Sequence, residues 1–367
     1  MNNTSQSTRP SLDLRYLLRQ PGTEIRASIY LSKPTTITIS LSQKNSPIPT
    51  DHSGNSINSH FQSHSFVVFV NNTRQALPQY NATFTTQPTL QNNENPHSFD
   101  LTLKGAALPI GQHNIRIFKA TEAQWNGGTP TPNYVTFHGF DVNDGEAAVV
   151  VQPPALPVRK IEFVGDSITA GFCNTCDLKK DPLPTHTEAY GASWDYQIGE
   201  MLNATVHTAA WSGLGMVQNC CGGNTTMPSI YSRTLATLNL DDTWNFKTWI
   251  PDVLVINLGT NDGGAAIDPK KQYTNIYSEL IMQASQKYGD QLQVFLACGP
   301  MSETYCTPVL NVIKNVTERG VKAHFLDQRG FLNGKFGPAC CGHPSTEVDL
   351  AMAKSGAASI GTVLGWL

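Results

Sequence analysis

Ile161-Glu162-Phe163-Val164-Gly165-Asp166-Ser167-Ile168-Thr169-Ala170-Gly171 is the stretch on which the fold turns. A short apolar run, Ile161 to Val164, reads as a buried strand, and it breaks at Gly165-Asp166 into a turn that presents a serine. Downstream of it, apolar strand-like runs at Val206 to Ala210, Val253 to Leu258, Val294 to Ala297 and Ala323 to Leu326 alternate with amphipathic helical segments. The helical segments are Ser193 to Leu202, Tyr273 to Ala284, Pro308 to Val316 and a last one from about Ser345 toward Leu364. Asp268 as N-cap with Pro269 at the first helical position marks the start of the helix around Tyr273. Such alternation predicts a parallel sheet covered by helices on both faces.

Upstream, the pattern is different. Thr36 to Leu41 alternates apolar and polar residues, and similar β-type runs recur at Phe66 to Val70, Phe99 to Leu103, Asn114 to Phe118 and Tyr134 to Val142, separated by Gly, Asn, Pro and Ser clusters. No helical period interrupts them, which predicts an all-β sandwich. Between the halves lies Gln152-Pro153-Pro154-Ala155-Leu156-Pro157, whose prolines favour an extended connector. The chain thus divides into a β-sandwich over 1–152 and an α/β/α domain over 158–367, a length that suits two cores.

Composition narrows the partner. Twenty-five Lys and Arg against 28 Asp and Glu give a net charge of -3 over 367 residues, which supplies no basic stripe for phosphates and argues against nucleic acid. No apolar stretch approaches the roughly 18 residues of a membrane span, and the opening MNNTSQSTRP lacks a signal peptide's apolar core, as expected of a mature or recombinant chain. Acceptor triplets for N-glycosylation at Asn2, Asn3, Asn71, Asn81, Asn203, Asn224 and Asn315 point to a eukaryotic secretory route and an extracellular glycoprotein. The eight cysteines, Cys173, Cys176, Cys220, Cys221, Cys298, Cys306, Cys340 and Cys341, are all in the second half, where an even number reads as a disulfide framework. A zinc site is the alternative raised by Cys173-x-x-Cys176, but no second such pair completes it. Cys298 with Cys306 is the one pairing that a short intervening loop suggests.

Three blocks carry chemistry: Gly165-Asp166-Ser167, Gly259-Thr260-Asn261-Asp262 and Gly342-His343-Pro344. Ligands of open α/β sheets bind at the carboxyl ends of strands, so Ser167 after one strand and Asn261 after another converge on one crevice. Singly, each block is commonplace, a helix cap, a turn or a lone histidine; the joint order is the signal.

That order resembles the SGNH (GDSL-type) hydrolase superfamily, and the whole chain from about residue 20 resembles carbohydrate esterase family 2. The resemblance is carried by Glu162 to Phe172, Ala189-Tyr190-Gly191-Ala192, Ser212-Gly213-Leu214-Gly215, Val255 to Asp262, Cys298-Gly299-Pro300-Met301 and Gly342-His343-Pro344-Ser345. Lys119-Ala120-Thr121-Glu122-Ala123 resembles the segment that closes the family's N-terminal domain. The resemblance implies a jelly-roll sandwich followed by a flavodoxin-like SGNH domain; a monomer that uses no cofactor and no metal is expected. It implies a secreted serine esterase that removes O-acetyl groups from xylan or glucomannan through an acyl-enzyme. Ser167 is then the nucleophile and His343 the general base, and the backbone N–H groups of Ser167 and Gly213 with the Asn261 amide form the oxyanion hole. The rival functions are a lipid esterase or lysophospholipase of the same superfamily and a non-catalytic carbohydrate-binding protein. A glycoside hydrolase lacks a paired carboxylate at a suitable place.

The superfamily's aspartate three residues before the histidine is Cys340 here. Sulfur is a poor acceptor for Nδ1–H, and Glu347 and Asp349 fall on the last helix, where exposure or capping is their expected role. A Ser–His dyad is therefore predicted, with a backbone carbonyl between about Gly337 and Cys341 holding the imidazole. Asp166 and Asp262 are expected to secure loops through backbone N–H groups. Trp211 is a candidate wall of the substrate pocket, with core packing as the equal alternative. Tyr190 is expected in the core, and His186, His207 and His324 are expected to be structural or exposed.

Overall fold

A computed structural model of the chain describes residues 24–35, 37–44, 65–71, 81–85, 97–101, 107–122, 134–142, 148–176, 188–233, 243–264, 270–333 and 337–367. Up to residue 151 the described elements are strands β1 (Glu24–Leu31), β2 (Ile37–Lys44), β3 (Ser65–Val70), β4 (Asn81–Thr85), β5 (His97–Leu101), β6 (Gly111–Lys119), β7 (Tyr134–Val142) and β8 (Ala148–Val151). They form two antiparallel sheets, one in the order β4-β3-β6-β1-β8 and one in the order β5-β2-β7. Ile25 and Ile29 of β1 and Ile115 and Ile117 of β6 are buried, in the two-residue period that a sheet with one covered face requires. The described residues of the runs read from the sequence fall on strands, Thr36, Thr102 and Leu103 lying outside the described residues, while β1, β4 and β8 escape that reading. Short Ala27 and Ser28 blur the alternation of β1, and β8 is a four-residue edge strand with Val150 80% exposed.

After the proline-bearing stretch 152–157, which joins no helix or strand, the second half begins with β9 (Arg159–Gly165) and short helix α1 (Ser167–Ala170). There follow α2 (Trp194–Met201), β10 (Ala204–Ala210), α3 (Met227–Tyr231), β11 (Val253–Asn257), α4 (Lys270–Tyr288), β12 (Gln293–Cys298), α5 (Cys306–Glu318), β13 (Lys322–Asp327) and α6 (Thr346–Leu364). The strands pair in parallel in the order β10-β9-β11-β12-β13, the 2-1-3-4-5 order of the flavodoxin-like sheet. Asp268 and Pro269, expected to start α4, lie outside the described residues, as do Ala123 and His186.

Every residue of β11 is buried, because both faces of the sheet are covered. Leu254, Ile256, Val294 and Leu296 pack toward Tyr277 and Ile281 of α4 and Val309 and Val312 of α5. Val253, Val255 and Phe295 pack the other way, with Trp194 and Ile198 of α2 and Met352 and Ile360 of α6. Alternate residues of one strand thus feed two cores, which is why the strand sequences read as unbroken apolar runs. Ile256 is 1% exposed at the sheet's centre, and Ile256→Ala is expected to lower the unfolding free energy by about 2–5 kcal/mol in urea titration; a loss near zero would mean that this layer is loosely packed.

Candidate active site

The sheet brings three chain segments side by side. Gly165, the last residue of β9, is in register with Ala210 at the end of β10 and with Asn257 at the end of β11. Ser167, Gly213 and Asn261 each follow one of these ends within a few residues, so they gather at the carboxyl edge where the strand order reverses. The turn after β9 is tight enough to demand glycine, since a Cβ on Gly165 would collide with Thr169. Asp166 then caps α1, its Oδ1 accepting the Ile168 N–H at 3.0 Å. Ser167 occupies the first helical position, where its N–H has no intrahelical acceptor.

His343 arrives from the loop before α6. Its Nε2 lies 2.7 Å from Ser167 Oγ and its Nδ1 lies 3.0 Å from the carbonyl oxygen of Cys341. A carbonyl can only accept, so Nδ1 carries the proton and Nε2 is left to accept from the serine hydroxyl. This is the dyad geometry expected from the missing aspartate, with the acceptor inside the predicted interval. Glu347 is exposed on α6, and Asp349 is 1% exposed. The expectation of exposure or capping is corrected for Asp349: its Oδ2 accepts from Asn174 Nδ2 at 3.1 Å.

Three further residues hold the histidine loop, and the sequence did not single them out for it. Cys341 is disulfide-bonded to Cys173, three residues after α1, so the carbonyl that orients the imidazole is tied covalently to the nucleophile's own segment. Cys341 takes a left-handed backbone, φ 62°, which is uncommon outside glycine and asparagine. Asn174, the next residue after Cys173, receives the Thr346 N–H on its carbonyl at 3.1 Å and binds the backbone of Ala189 through its side chain. Phe172 sets its ring edge-on to His343, with centroids 5.1 Å apart. Cys173-x-x-Cys176 is not a zinc half-site, because both cysteines are disulfide-bonded. Cys298 pairs with Cys306 as expected, and the vicinal Cys220 and Cys221 pair with each other.

Around the serine, Gly213 adopts φ 81°, where a side chain would be strained. Its carbonyl accepts from Cys220 N–H at 3.2 Å, and its own N–H meets no acceptor among the described residues. Asn261 is 7% exposed, and its amide nitrogen faces the Leu214 carbonyl at 2.8 Å and Asp166 Oδ2 at 3.2 Å. Asp262 accepts from the N–H groups of Met216, Val217 and Gln218 at 2.8, 2.7 and 3.2 Å, so both aspartates secure loops as expected. Burial pushes the Asp166 carboxyl up to about 7, against the pull of the Ile168 N–H, and raises Asp262 as well.

The other expectations sort by burial. Trp211 is 2% exposed and packs with Val164, Leu214 and Met216, so the core-packing alternative describes it and it offers no face to a ligand. Tyr190 is in the core, with its hydroxyl 2.8 Å from Asp195 Oδ2. His207 stacks on Trp249 and His324 Nε2 faces Gln293 Oε1, and among the described residues the histidine that meets Ser167 is His343.

Comparison with known proteins follows the same residues. Residues 163–347 match the GDSL-like lipase/acylhydrolase family. The cellulase/esterase CelE of Acetivibrio thermocellus is 31% identical over 272 residues, which is 71% of this chain and 31% of that protein. An acetylxylan esterase/glucomannan deacetylase of Cellvibrio japonicus is 32% identical over 46% of this chain and 44% of its own. The chain therefore spans less than half the length of these relatives. A family two carbohydrate esterase from Clostridium thermocellum, solved with cellohexaose, superposes with a TM-score of 0.76 at 24% identity over 95% of both chains, a likeness of fold.

Burial holds the His343 imidazole below its usual 6.5, opposed by the Cys341 carbonyl. Only the neutral ring can take a proton from Ser167, so activity that depends on this pair is expected to fall as pH drops through a value below 6.5. The pH dependence of kcat/KM for an ester substrate measures it, and an acid limb above 6.5 would contradict the carbonyl-held imidazole.

Proposed function

We propose that this chain, which belongs to the GDSL-like lipase/acylhydrolase family, is a serine esterase that removes O-acetyl groups from plant cell-wall polysaccharides, acetylated xylan or glucomannan, through an acyl-enzyme. The observation that carries the reading is the continuous hydrogen-bonded line from Cys341 O through His343 to Ser167 Oγ at the carboxyl edge of the sheet. The acetylxylan esterase and CelE relatives and the fold shared with a carbohydrate esterase support the acetyl and polysaccharide parts.

In the first half-reaction Ser167 Oγ attacks the acetyl carbonyl while its proton passes to His343 Nε2. The imidazolium so formed keeps its Nδ1–H on a neutral carbonyl, so its orientation is secured but its charge is not matched by a carboxylate. The tetrahedral oxyanion is received by the N–H groups of Ser167 and Gly213, neither of which has an acceptor among the described residues. Asn261 serves as third donor by turning one amide proton from Asp166, the longer of its two contacts. With burial favouring the neutral Asp166 carboxyl, that contact is the weaker one to give up. Collapse breaks the bond to the sugar oxygen, which takes the proton from His343 and leaves as a hydroxyl. Water then attacks the acetyl-serine with His343 again as base, releasing acetate and restoring the hydroxyl.

The finer reading extends to the whole chain: a jelly-roll sandwich over 1–152, an esterase domain over 158–367, and a secreted, N-glycosylated monomer. The exposure of Asn203 and Asn224 supports glycan acceptance there, and the disulfides fit an oxidising compartment. Among the described residues no helix is long and apolar enough to cross a membrane.

Acetate release from acetylated xylan and glucomannan, compared with hydrolysis of long-chain p-nitrophenyl esters, tests the substrate class. Faster turnover of the long chains would replace the polysaccharide reading with a lipid esterase, and activity retained in Ser167→Ala would end the acyl-enzyme mechanism. Asn261→Ala is expected to lower kcat by about 10²–10³ with KM little changed, as for loss of an oxyanion donor; a change in KM alone would make Asn261 a residue of ground-state binding.

A further inference from the structure

A turn that leaves the β-rich half of the chain reaches the loop beside Ser167. Strand β6 ends at Lys119, and Ala120, Thr121 and Glu122 beyond it are buried although they belong to no strand. Lys119 is itself fully buried; its ammonium donates to the Glu122 carbonyl at 2.8 Å and to the Thr121 carbonyl, which closes the turn on itself. The Tyr190 N–H donates to the Ala120 carbonyl at 2.9 Å, and the Phe118 and Tyr190 rings stack. The Glu122 N–H donates to Glu188 Oε1 at 2.5 Å. What this fixes in space is the Glu122 side chain, whose Oε2 accepts the N–H of Ser212 at 2.6 Å.

Ser212 immediately precedes Gly213. The loop is held on its other side by the Cys220 N–H on the Gly213 carbonyl and closed across by the Leu214 N–H on the Trp211 carbonyl. With the N–H groups of Trp211, Ser212 and Leu214 tied, the Gly213 N–H is the backbone donor of this loop left without an acceptor among the described residues. Burial raises Glu122 to about 7 and lowers Lys119 to about 7. Burying a lysine and two carboxylates is an expensive way to join two segments of chain, and a plain apolar contact would join them as well. The arrangement makes sense where one backbone dipole must be aimed.

We propose that Glu122 is a positioning residue for the esterase reaction: its side-chain oxygen, delivered from the β-rich half, anchors Ser212 and thereby aims the Gly213 N–H at the developing oxyanion. The inference rests on the esterase reading above. It makes the oxyanion hole a product of both halves of the chain, so that the second half alone would hold the dyad but not a fixed second donor.

The test compares Glu122→Ala with Glu122→Gln in the full chain, using p-nitrophenyl acetate, thermal unfolding and the backbone ¹H–¹⁵N resonances of Ser212 and Gly213. Glu122→Ala is expected to lower kcat about 10–100-fold with KM within about twofold, as for a displaced transition-state donor. Glu122→Gln keeps an oxygen acceptor in place and is expected to recover most of that loss. Wild-type kcat in folded Glu122→Ala, a loss accounted for by the unfolded fraction, or a Gln variant no better than Ala would each overturn the proposal. Should Glu122→Ala fail to fold, Glu122→Asp decides, because the shorter side chain withdraws the acceptor while keeping the charge: a folded Asp variant with lowered kcat supports the proposal and one with wild-type kcat overturns it. If the wild-type chain hydrolyses no acetyl ester, the esterase reading fails separately. The resonances of Ser212 and Gly213 then still report whether Glu122 holds that loop, and unchanged shifts in the variants would overturn it on their own.

Discussion

An imidazole that accepts a proton at one nitrogen must have its other nitrogen protonated and held, and in this chain a single main-chain oxygen meets that requirement. The hydrogen bond from His343 Nδ1 to Cys341 O sets the tautomer, and much of the surrounding construction secures it. The left-handed turn at Cys341, its disulfide to Cys173, the edge-on Phe172 ring and the Asn174 contacts with the first turn of α6 all limit movement of that carbonyl relative to Ser167. A carboxylate acceptor would also stabilise the imidazolium by charge. A carbonyl gives direction without that charge, so positional control carries more of the burden.

The carboxylates that might have served instead are occupied as structural acceptors. Asp166 caps α1 and faces Asn261, Asp262 gathers three N–H groups of the loop after Gly215, Asp195 receives the Tyr190 and Ser193 hydroxyls, and Asp349 receives Asn174. Each is buried, and burial raises each toward its neutral form. Such groups are tolerable inside a protein only when hydrogen-bonded. Asp166 and Asp262 fix the loops at the carboxyl edge of the sheet, the crevice in which the strand order gathers Ser167, Gly213 and Asn261.

The β-rich half contributes through contacts rather than through a dyad residue. Its turn after β6 meets Tyr190, Glu188 and Ser212, so the two halves share a buried polar junction next to the serine loop. Junctions of this kind are stiff, because breaking any one partner leaves another buried and unsatisfied.

By itself the sequence determined the α/β half, the antiparallel strands at the runs quoted, the serine, asparagine and histidine blocks, the Cys298–Cys306 pairing and the absence of a carboxylate acceptor. The strands and helices are legible because they are local, in hydrophobic period and turn chemistry, whereas the site blocks and the missing aspartate are legible through the resemblance to the SGNH superfamily. Strands β1, β4 and β8 stayed hidden because small or few side chains leave little periodic signal. The tertiary structure alone decided the rest. That Cys173 meets Cys341, that Asp349 is drawn inward to Asn174, that Trp211 is core, and that Glu122 reaches Ser212 are contacts between residues far apart in the chain. No local pattern encodes such a meeting; it follows only once the sheet order and the packing of α2 and α6 bring those segments together.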